Sequence, residues 1–192
     1  MVDKKGQIEV ICGPMFAGKT EELIRRANRL EYAKKKYLVF KPEIDNRYST
    51  DEIVSHSNYR KNSINIKKAK DIVPYINDEL DAVIIDEVQF LDKEVIEIAE
   101  YLADQGLRVI CGGLDCDFRG VPFKIMGDLL ARAEEVTKLT AICNCCGNPA
   151  TRTQRIVDGM PAYEDEPIVL VGAKEAYEPR CRKCHVVLKR EK

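Results

Sequence analysis

Residues 13–20 form a glycine-rich loop whose pattern is typical of phosphate binding. The sequence is GPMFAGKT, and Gly13, Gly18, Lys19 and Thr20 fit G-x-x-x-x-G-K-[ST] without a mismatch. Glycines at these positions let successive backbone N–H groups turn toward phosphate oxygens, at the positive end of the helix that follows. Lys19 is expected to reach the β and γ phosphates, and the Thr20 hydroxyl to bind Mg²⁺. The residues predicted to bind the nucleotide are Gly13, Pro14, Met15, Phe16, Ala17, Gly18, Lys19 and Thr20.

Two acidic residues follow a short apolar run at residues 82–85. In AVIIDEVQF, Asp86 comes directly after the apolar run, as does the Walker B carboxylate that orders magnesium-bound water. Glu87 is then free to act as a general base toward whatever accepts the phosphoryl group, either water or a substrate hydroxyl. Since the chain turns where a strand ends, both carboxylates are expected to border the nucleotide cleft. The alternative for Glu87 is an ordinary solvated loop carboxylate.

Four of the eight cysteines form two C-x-x-C pairs. The pairs are Cys143 with Cys146 and Cys181 with Cys184. Each turn offers two thiolates, so that two turns complete the tetrahedral ligand set of a structural Zn²⁺. Cys145 and His185 are neighbouring alternatives as ligands, and a redox C-x-x-C is the alternative for a single pair. The cysteines expected in the apolar core are Cys12, Cys111 and Cys116.

The elements that must position these residues alternate between strand and helix. Strands are predicted at residues 7–12, 37–40, 82–86 and 107–112. Apolar residues at helical spacing are Leu23, Ile24, Ala27 and Leu30 after the loop, and Val95, Ile98, Ala99 and Leu102 between an N-cap at Asp92 and a stop at Gly106. The alternation predicts a parallel α/β sheet flanked by helices, of the P-loop NTPase type (RecA-like).

The character of the sequence changes near residue 141. Residues 141–192 contain no convincing amphipathic helix, but they contain a β-prone run at 151–157 and a turn-prone DGMP at 158–161. We therefore predict a P-loop α/β domain at residues 1–140 and a small zinc-stapled β domain at residues 141–192. The second is too small to fold on an apolar core alone, which is why a structural metal is expected in it.

Size and charge exclude several classes of protein. The 192 residues suffice for one domain with an appendage, and 31 basic against 32 acidic residues leave no electrostatic footprint for a polyanion. The acidic run at residues 164–166 would repel a nucleic-acid backbone, so no nucleic-acid partner is expected. No stretch approaches the roughly 20 apolar residues of a membrane span, and MVDKKGQIEV lacks a secretory pattern. A cytoplasmic protein without a membrane partner is the resulting expectation.

Taken in order, these motifs resemble the type II thymidine kinases, the zinc-containing family of the human cytosolic type. The resemblance rests on GPMFAGKT (13–20), DNRYS (45–49), DEVQF (86–90), GLDCDFRGVPF (113–123), the cysteine pairs and VGAKEAYEPRC (171–181). It covers nearly the whole chain, and few P-loop proteins share this ordered set of motifs.

The resemblance implies an activity and an assembly. It implies transfer of the γ-phosphoryl group of ATP to the 5′-hydroxyl of thymidine, giving dTMP for DNA synthesis. It also implies a homotetramer that is inhibited by dTTP, the triphosphate end product. Glu87 matches the proton acceptor of the family. The residues expected to contact ATP, besides the loop, are Asp45, Arg47, Asp86 and Gln89.

A thymine pocket also follows from the resemblance. The residues that match its apolar wall are Met15, Leu114, Phe118 and Phe123. The residues that match a loop folding over the nucleoside, which bonds the base through main-chain groups, are Val169, Leu170, Val171, Gly172 and Tyr177. A thymine presents a methyl group to bury and a hydrogen-bonding edge, so an apolar pocket with backbone donors and acceptors suits it. By spacing alone, Phe118 and Phe123 are as well interpreted as core residues, and Tyr177 as an exposed loop aromatic.

Two other functions are compatible with parts of the pattern. A P-loop ATPase of the helicase or RecA type would use Glu87 to activate water, but such motors usually pair two domains of this kind and the chain is too short for two. A non-catalytic zinc module that binds nucleic acid is the second, and the near-neutral charge and the acidic run count against it.

Overall fold

A six-stranded parallel sheet is the largest sheet in the described part of the chain. The computed structural model describes residues 6–43, 63–168 and 175–190. The strands are β1 (Gln7–Cys12), β2 (Tyr37–Pro42), β3 (Ser63–Ile66), β4 (Ala82–Ile85), β5 (Arg108–Gly113) and β6 (Glu135–Lys138). They lie in the order β3-β2-β4-β5-β1-β6, and each neighbouring pair is parallel. The carboxyl ends of β4, β5 and β1 therefore lie side by side at one edge of the sheet.

Helices cover both faces of this sheet. They are α1 (Lys19–Tyr32), α2 (Glu94–Asp104) and α3 (Lys124–Arg132), and short 3₁₀ turns span Ala69–Tyr75 and Val88–Phe90. Side chains alternate along β1, so that Ile11 packs with Leu23 of α1 while Val10 packs with Val95 of α2 and Met126 of α3. The sheet thus has two apolar faces and a helical layer on each. The predicted fold class, an α/β sheet of parallel strands flanked by helices, is confirmed.

A smaller antiparallel region follows the sheet. Its strands are β7 (Ala141–Ile142), β8 (Pro149–Ala150), β9 (Arg152–Val157), β10 (Met160–Pro161) and β11 (Glu175–Arg180). β7 pairs with β8, and β9 lies between β10 and β11. The predicted boundary at residues 140 and 141 falls between β6 and β7. The division into two domains stays a prediction, because β9 also bonds to the phosphate loop, where the Met15 N–H donates to Thr153 Oγ1 at 3.0 Å.

A completely buried carboxylate, Glu9 on β1, joins the sheet to α1. It accepts hydrogen bonds from the guanidinium groups of Arg26 on α1 and Arg108 on β5. Arg26 Nη2 also donates to Glu135 Oε1 and Thr137 Oγ1 on β6, each at 2.8 Å. A carboxylate is buried without large cost only when it is paired in this way, so the network fixes where α1 crosses the strands.

Helix α2 begins two residues after its predicted N-cap. Lys93 occupies the cap position, whereas Asp92 accepts the Glu94 N–H through Oδ1 and the Ala69 N–H through Oδ2, each at 3.1 Å. The Asp92 side chain therefore still satisfies a donor at the start of the helix, and it also links the 3₁₀ turn Ala69–Tyr75 to the helix. No helix among the described residues is long and apolar enough to cross a membrane.

Candidate active site and zinc cluster

The phosphate loop curls tightly between β1 and α1. Gly13 and Gly18 have φ angles of 150° and 81°, and a Cβ at Gly13 would lie 2.5 Å from the Leu139 carbonyl oxygen. The Lys19 ammonium donates to the Pro14 carbonyl at 2.8 Å, across the interior of the loop. Phe16 adopts a left-handed backbone at φ 65° although it is not glycine, and its ring is exposed. The loop therefore has the strained, open-backbone form that presents N–H groups to an anion.

The Lys19 ammonium group is surrounded by three carboxylates. Burial lowers the pKa of its ammonium, and the carboxylates of Glu87, Asp86 and Asp115 act in the opposite direction. The phosphate loop after β1 and the acidic pair after β4 thus face each other, as the order of the strands requires. The structure thus places Asp86 and Glu87 near Lys19, while their roles in metal binding and proton transfer stay predictions.

Asp86 and Glu87 are adjacent in the chain but differ in their partners and backbone. Asp86 is buried, its Oδ2 pairs with Lys41 Nζ at 3.1 Å, and its Oδ1 accepts the Glu87 N–H at 3.0 Å. Glu87 has φ 51° and ψ 38°, a left-handed conformation that costs a non-glycine residue roughly 1–3 kcal/mol. Such strain is retained where neighbouring structure enforces it, and here it keeps both carboxylates near Lys19.

Glu87 is held by the side chain of Gln89. Gln89 Nε2 donates to Glu87 Oε2 at 2.6 Å, and Gln89 Oε1 accepts the Leu114 N–H at 3.1 Å. Burial, and then repulsion from Asp86, raise the pKa of Glu87, while the Gln89 hydrogen bond and the nearby lysines oppose that shift. The carboxyl group is therefore a stronger proton acceptor than a solvated glutamate. Gln89, expected to contact ATP, is directed at Glu87 and at the backbone after β5.

The predicted pocket residues divide into two groups. Met15 in the phosphate loop and Leu114 directly after β5 are half-buried. Phe118 is buried beneath the guanidinium groups of Arg155 and Arg119. Phe123 instead packs on the sheet core and meets Phe90 edge-to-face, with 6.2 Å between ring centroids. These contacts are those of a core residue, which was the alternative to a place in the thymine pocket for Phe123.

Other predicted site residues are less fully described. Tyr177 is half-buried on β11, directly opposite Arg155 in the β9–β11 register. The residues that lie outside the described part of the chain are Asp45, Arg47, Val169, Leu170, Val171 and Gly172.

Three residues at the site were not found from the sequence. Lys41 pairs with Asp86, Thr153 accepts the Met15 N–H, and Arg155 stacks on Phe118. Thr153 and Arg155 belong to the run TRTQRIV, which indicated only a strand. Polar residues that alternate in a strand normally face solvent. The sequence therefore contains no local signal that would separate Thr153 and Arg155 from solvent-exposed residues.

The four predicted zinc ligands come together. The Sγ atoms of Cys143, Cys146, Cys181 and Cys184 all lie within 4.8 Å of one another, and those of Cys146 and Cys181 are 3.6 Å apart. Thiolates at 2.3 Å from a tetrahedral Zn²⁺ lie roughly 3.8 Å from each other, so the sulfur atoms fit this ion. The alternative ligands point elsewhere, because Cys145 Sγ contacts Arg180 Nη1 and His185 Nε2 lies 2.8 Å from the Phe118 carbonyl oxygen.

The zinc cluster also supports the phosphate loop. Ala17 of the loop packs against the cluster of apolar side chains around Cys143, which includes Ala141 and Ala150. Four thiolates complete the tetrahedral set of a zinc ion and leave no position for a substrate, so this site is structural in its chemistry. The phosphate loop therefore contacts the cysteine cluster through Ala17, and it contacts β9 through the bond between Met15 and Thr153.

One comparison with known protein families bears on this geometry. The model of the family described as thymidine kinase matches residues 6–185, which include the phosphate loop, the acidic pair and all four cysteines of the cluster. The match includes every strand of the parallel sheet and of the antiparallel region. The chain therefore belongs to the thymidine kinase family, whose members are kinases.

Proposed function

We propose that the protein transfers the γ-phosphoryl group of ATP to the 5′-hydroxyl of thymidine. The observation that carries the proposal is the position of Glu87, a carboxylate with a raised pKa that lies beside the lysine of a phosphate loop. Membership of the thymidine kinase family supports thymidine as the acceptor in preference to water.

The phosphate loop binds and orients the nucleotide in this proposal. Backbone N–H groups of residues 13–18 hold the phosphates, and Lys19 neutralises the charge that develops on the transferred group. Thr20 and Asp86 supply the hydroxyl and carboxylate oxygens that suit a hard cation, so they would hold Mg²⁺, Asp86 through water. When bound, Mg²⁺ would offset the negative charge of the phosphates.

Glu87 accepts the proton of the attacking hydroxyl. Burial and the Asp86 charge favour protonation of Glu87, so the carboxylate takes up the 5′-hydroxyl proton as the oxygen bonds to phosphorus. Gln89 Nε2 bonds to one carboxylate oxygen, Oε2, and we assign the other oxygen, Oε1, to the 5′-hydroxyl. Proton transfer of this kind contributes about 10²–10⁴-fold to a rate.

Recognition of the base uses the apolar end of the site. Met15, Leu114 and Phe118 enclose the thymine and its methyl group, and Tyr177 closes the same side from β11. We further expect Asp45 and Arg47 beside the phosphates, and residues 169–172 over the base, on the strength of the family resemblance. Exclusion of water by such a pocket would suppress hydrolysis of ATP.

Several finer properties belong to the same proposal. We infer the zinc-containing type of the family, which the four-cysteine cluster supports. A homotetramer with feedback by dTTP is supported by the family resemblance alone. A cytoplasmic location is supported by the need of four thiolates for a reducing compartment.

A product assay tests the proposal. The purified protein is incubated with ATP and Mg²⁺, and with thymidine, deoxyuridine, deoxycytidine or no nucleoside. We expect dTMP to form in proportion to the ADP released, and little ADP without nucleoside. Release of ADP at the same rate with and without thymidine would instead identify an ATPase of the helicase or RecA type.

A further inference from the structure

Arg155 is a completely buried cation at the junction of the two sheets. It lies in the middle of β9, and its guanidinium group is centred 5.2 Å from the centroid of the Phe118 ring. Its Nη1 donates to the Pro167 carbonyl at 2.6 Å, and its Nη2 lies 3.8 Å from Glu166 Oε2. One side chain therefore links the ring of a predicted pocket residue to the segment between β10 and β11.

Phe118 has further contacts that restrict its position. Arg119 also lies over the ring, at 5.7 Å, but its guanidinium group is bound to Asp117 two residues away. The Phe118 carbonyl lies 2.8 Å from His185 Nε2. The contact with Arg155 connects the ring to the three-stranded sheet β10-β9-β11.

The register of β9 places Arg155 on the side of the proposed pocket. Thr153 and Arg155 are two residues apart and so share a face of the strand, and Thr153 accepts the Met15 N–H. Tyr177 is directly opposite Arg155 on β11, so its side chain lies on that face too. The residues of this face thus contact, or lie beside, the residues proposed to enclose the base.

We propose that Arg155 is a positioning residue for recognition of the nucleoside base. It holds the Phe118 ring against the antiparallel sheet and so fixes the width of the base pocket, without contacting the phosphates. This inference rests on the proposed function, because it assigns Phe118 to the thymidine pocket.

The chemistry of the contact requires arginine. A guanidinium group is planar, stacks on a ring and donates hydrogen bonds in its own plane, so it can lie over Phe118 while bonding to Pro167. A lysine keeps the charge but cannot do both. Because the group is removed from water, its interaction with the ring is stronger than that of an exposed cation.

Arg155 and Arg119 both lie over the Phe118 ring, so the same substitution at each of them tests the proposal. Arg155→Lys is compared with Arg119→Lys, whose guanidinium group is partly exposed. We expect Arg155→Lys to raise the KM for thymidine by about 10-fold or more. The KM for ATP should change by less than about 2-fold. Arg119→Lys should change the thymidine KM by less than about 3-fold. An equal effect of the two substitutions on the thymidine KM overturns the proposal.

A double-mutant cycle separates positioning from a general loss of structure. If Arg155 acts through the ring, Arg155→Lys should add less than about 2-fold to the thymidine KM of Phe118→Leu. Independent, multiplying effects contradict the proposal. Zinc content and melting temperature are measured for each variant, since a structural defect would lower both and raise the KM for ATP as well.

A milder variant decides the matter if Arg155→Lys does not yield folded protein. Glu166→Gln weakens the ion pair with Arg155 and keeps the acceptor for the Tyr163 N–H. It should raise the thymidine KM by roughly 2- to 3-fold with the ATP KM unchanged. No change in the thymidine KM then counts against the proposal. Failure of the wild-type protein to form dTMP would contradict the proposed function, whereas a normal thymidine KM in the variants contradicts only the role of Arg155.

Discussion

The Gln89 side chain donates a 2.6 Å hydrogen bond to Glu87 and holds that carboxylate beside the phosphate loop. The oxygen of the same amide accepts the Leu114 N–H. Gln89 therefore connects Glu87, which follows β4, to the carboxyl end of β5. Gln89 is buried, and water therefore cannot readily replace it. The proton acceptor proposed here is thus positioned by two adjacent strands through one amide.

Replacement of Gln89 by methionine should reduce turnover more than nucleotide affinity. Gln89→Met keeps the volume but removes both hydrogen bonds, and a hydrogen bond to a charged group contributes about 1.5–3 kcal/mol. We expect kcat to fall by about 10-fold or more, with the KM for ATP nearly unchanged. Steady-state kinetics check this result, with Gln105→Met, at an exposed position, as the control. A large rise in the ATP KM with an unchanged kcat would return Gln89 to a nucleotide-binding role.

Loss of the carboxylate itself should have a larger effect. Glu87→Gln keeps the size of the side chain and removes its ability to accept a proton, so kcat should fall by at least the ~10² typical of general-base removal. Binding of ATP, followed by calorimetry, should persist, because the phosphate loop is unchanged. Glu94→Gln, at an exposed position in the first turn of α2, is the matched control. Near-normal turnover in Glu87→Gln would remove this residue from the catalytic role.

The cysteine cluster leads to a separate prediction, in which substitution of a cysteine inside the cluster and of one outside it have different effects on zinc binding. Cys181→Ser removes one of four convergent sulfur atoms, whereas Cys145→Ser changes an exposed thiol outside the cluster. We expect bound zinc and melting temperature to fall in Cys181→Ser only, since metal binding stabilises such a small region. Metal analysis and thermal unfolding measure both. Equal zinc contents in the two variants would contradict the four-cysteine site.

The sequence predicted the parts of the site that lie on one local segment. The phosphate loop, the acidic pair and the cysteine pairs are each short motifs whose function depends on neighbours within a few residues, and the fold that joins them follows from strand and helix periodicity. Helix α3 was missed, and so were strands β3, β6, β7, β8, β10 and β11. Strand β6 has four residues with little burial, and so it lacks the apolar run that indicates a strand.

Contacts between distant segments were beyond such reasoning. Lys41, Thr153 and Arg155 act on residues 45, 138 and 37 positions away along the chain, and their types alone indicate a solvated surface. The left-handed backbone of Glu87 was likewise not predictable, because the position holds neither glycine nor asparagine, the residues that favour this conformation. The sequence reasoning therefore missed the long-range contacts that support the site, whereas the groups proposed to react came from short motifs.

The buried ion network of Glu9 predicts how stability depends on pH. Although burial acts to raise it, the pKa of Glu9 is lowered overall from its ordinary value of 4.5 by Arg108, Gln7 and Arg26. A carboxyl group with a depressed pKa in the folded state stabilises the protein above its unfolded pKa. That contribution is lost as the pH falls through the folded pKa. Protonation of Glu9 should therefore contribute to unfolding at acid pH.

Glu9→Gln isolates this contribution. The substitution leaves Arg26 and Arg108 without the carboxylate they share, and breaking a buried ion pair costs about 3–5 kcal/mol. Denaturant unfolding at pH 7 should show a loss of that order, and the slope of stability against pH below about 5 should become shallower, because one native-state carboxylate no longer titrates. Glu100→Gln, which breaks a partly exposed pair with Arg132, should cost less than about 1 kcal/mol. Equal losses in the two variants, or an unchanged acid slope in Glu9→Gln, would show that Glu9 does not set the acid stability of the sheet.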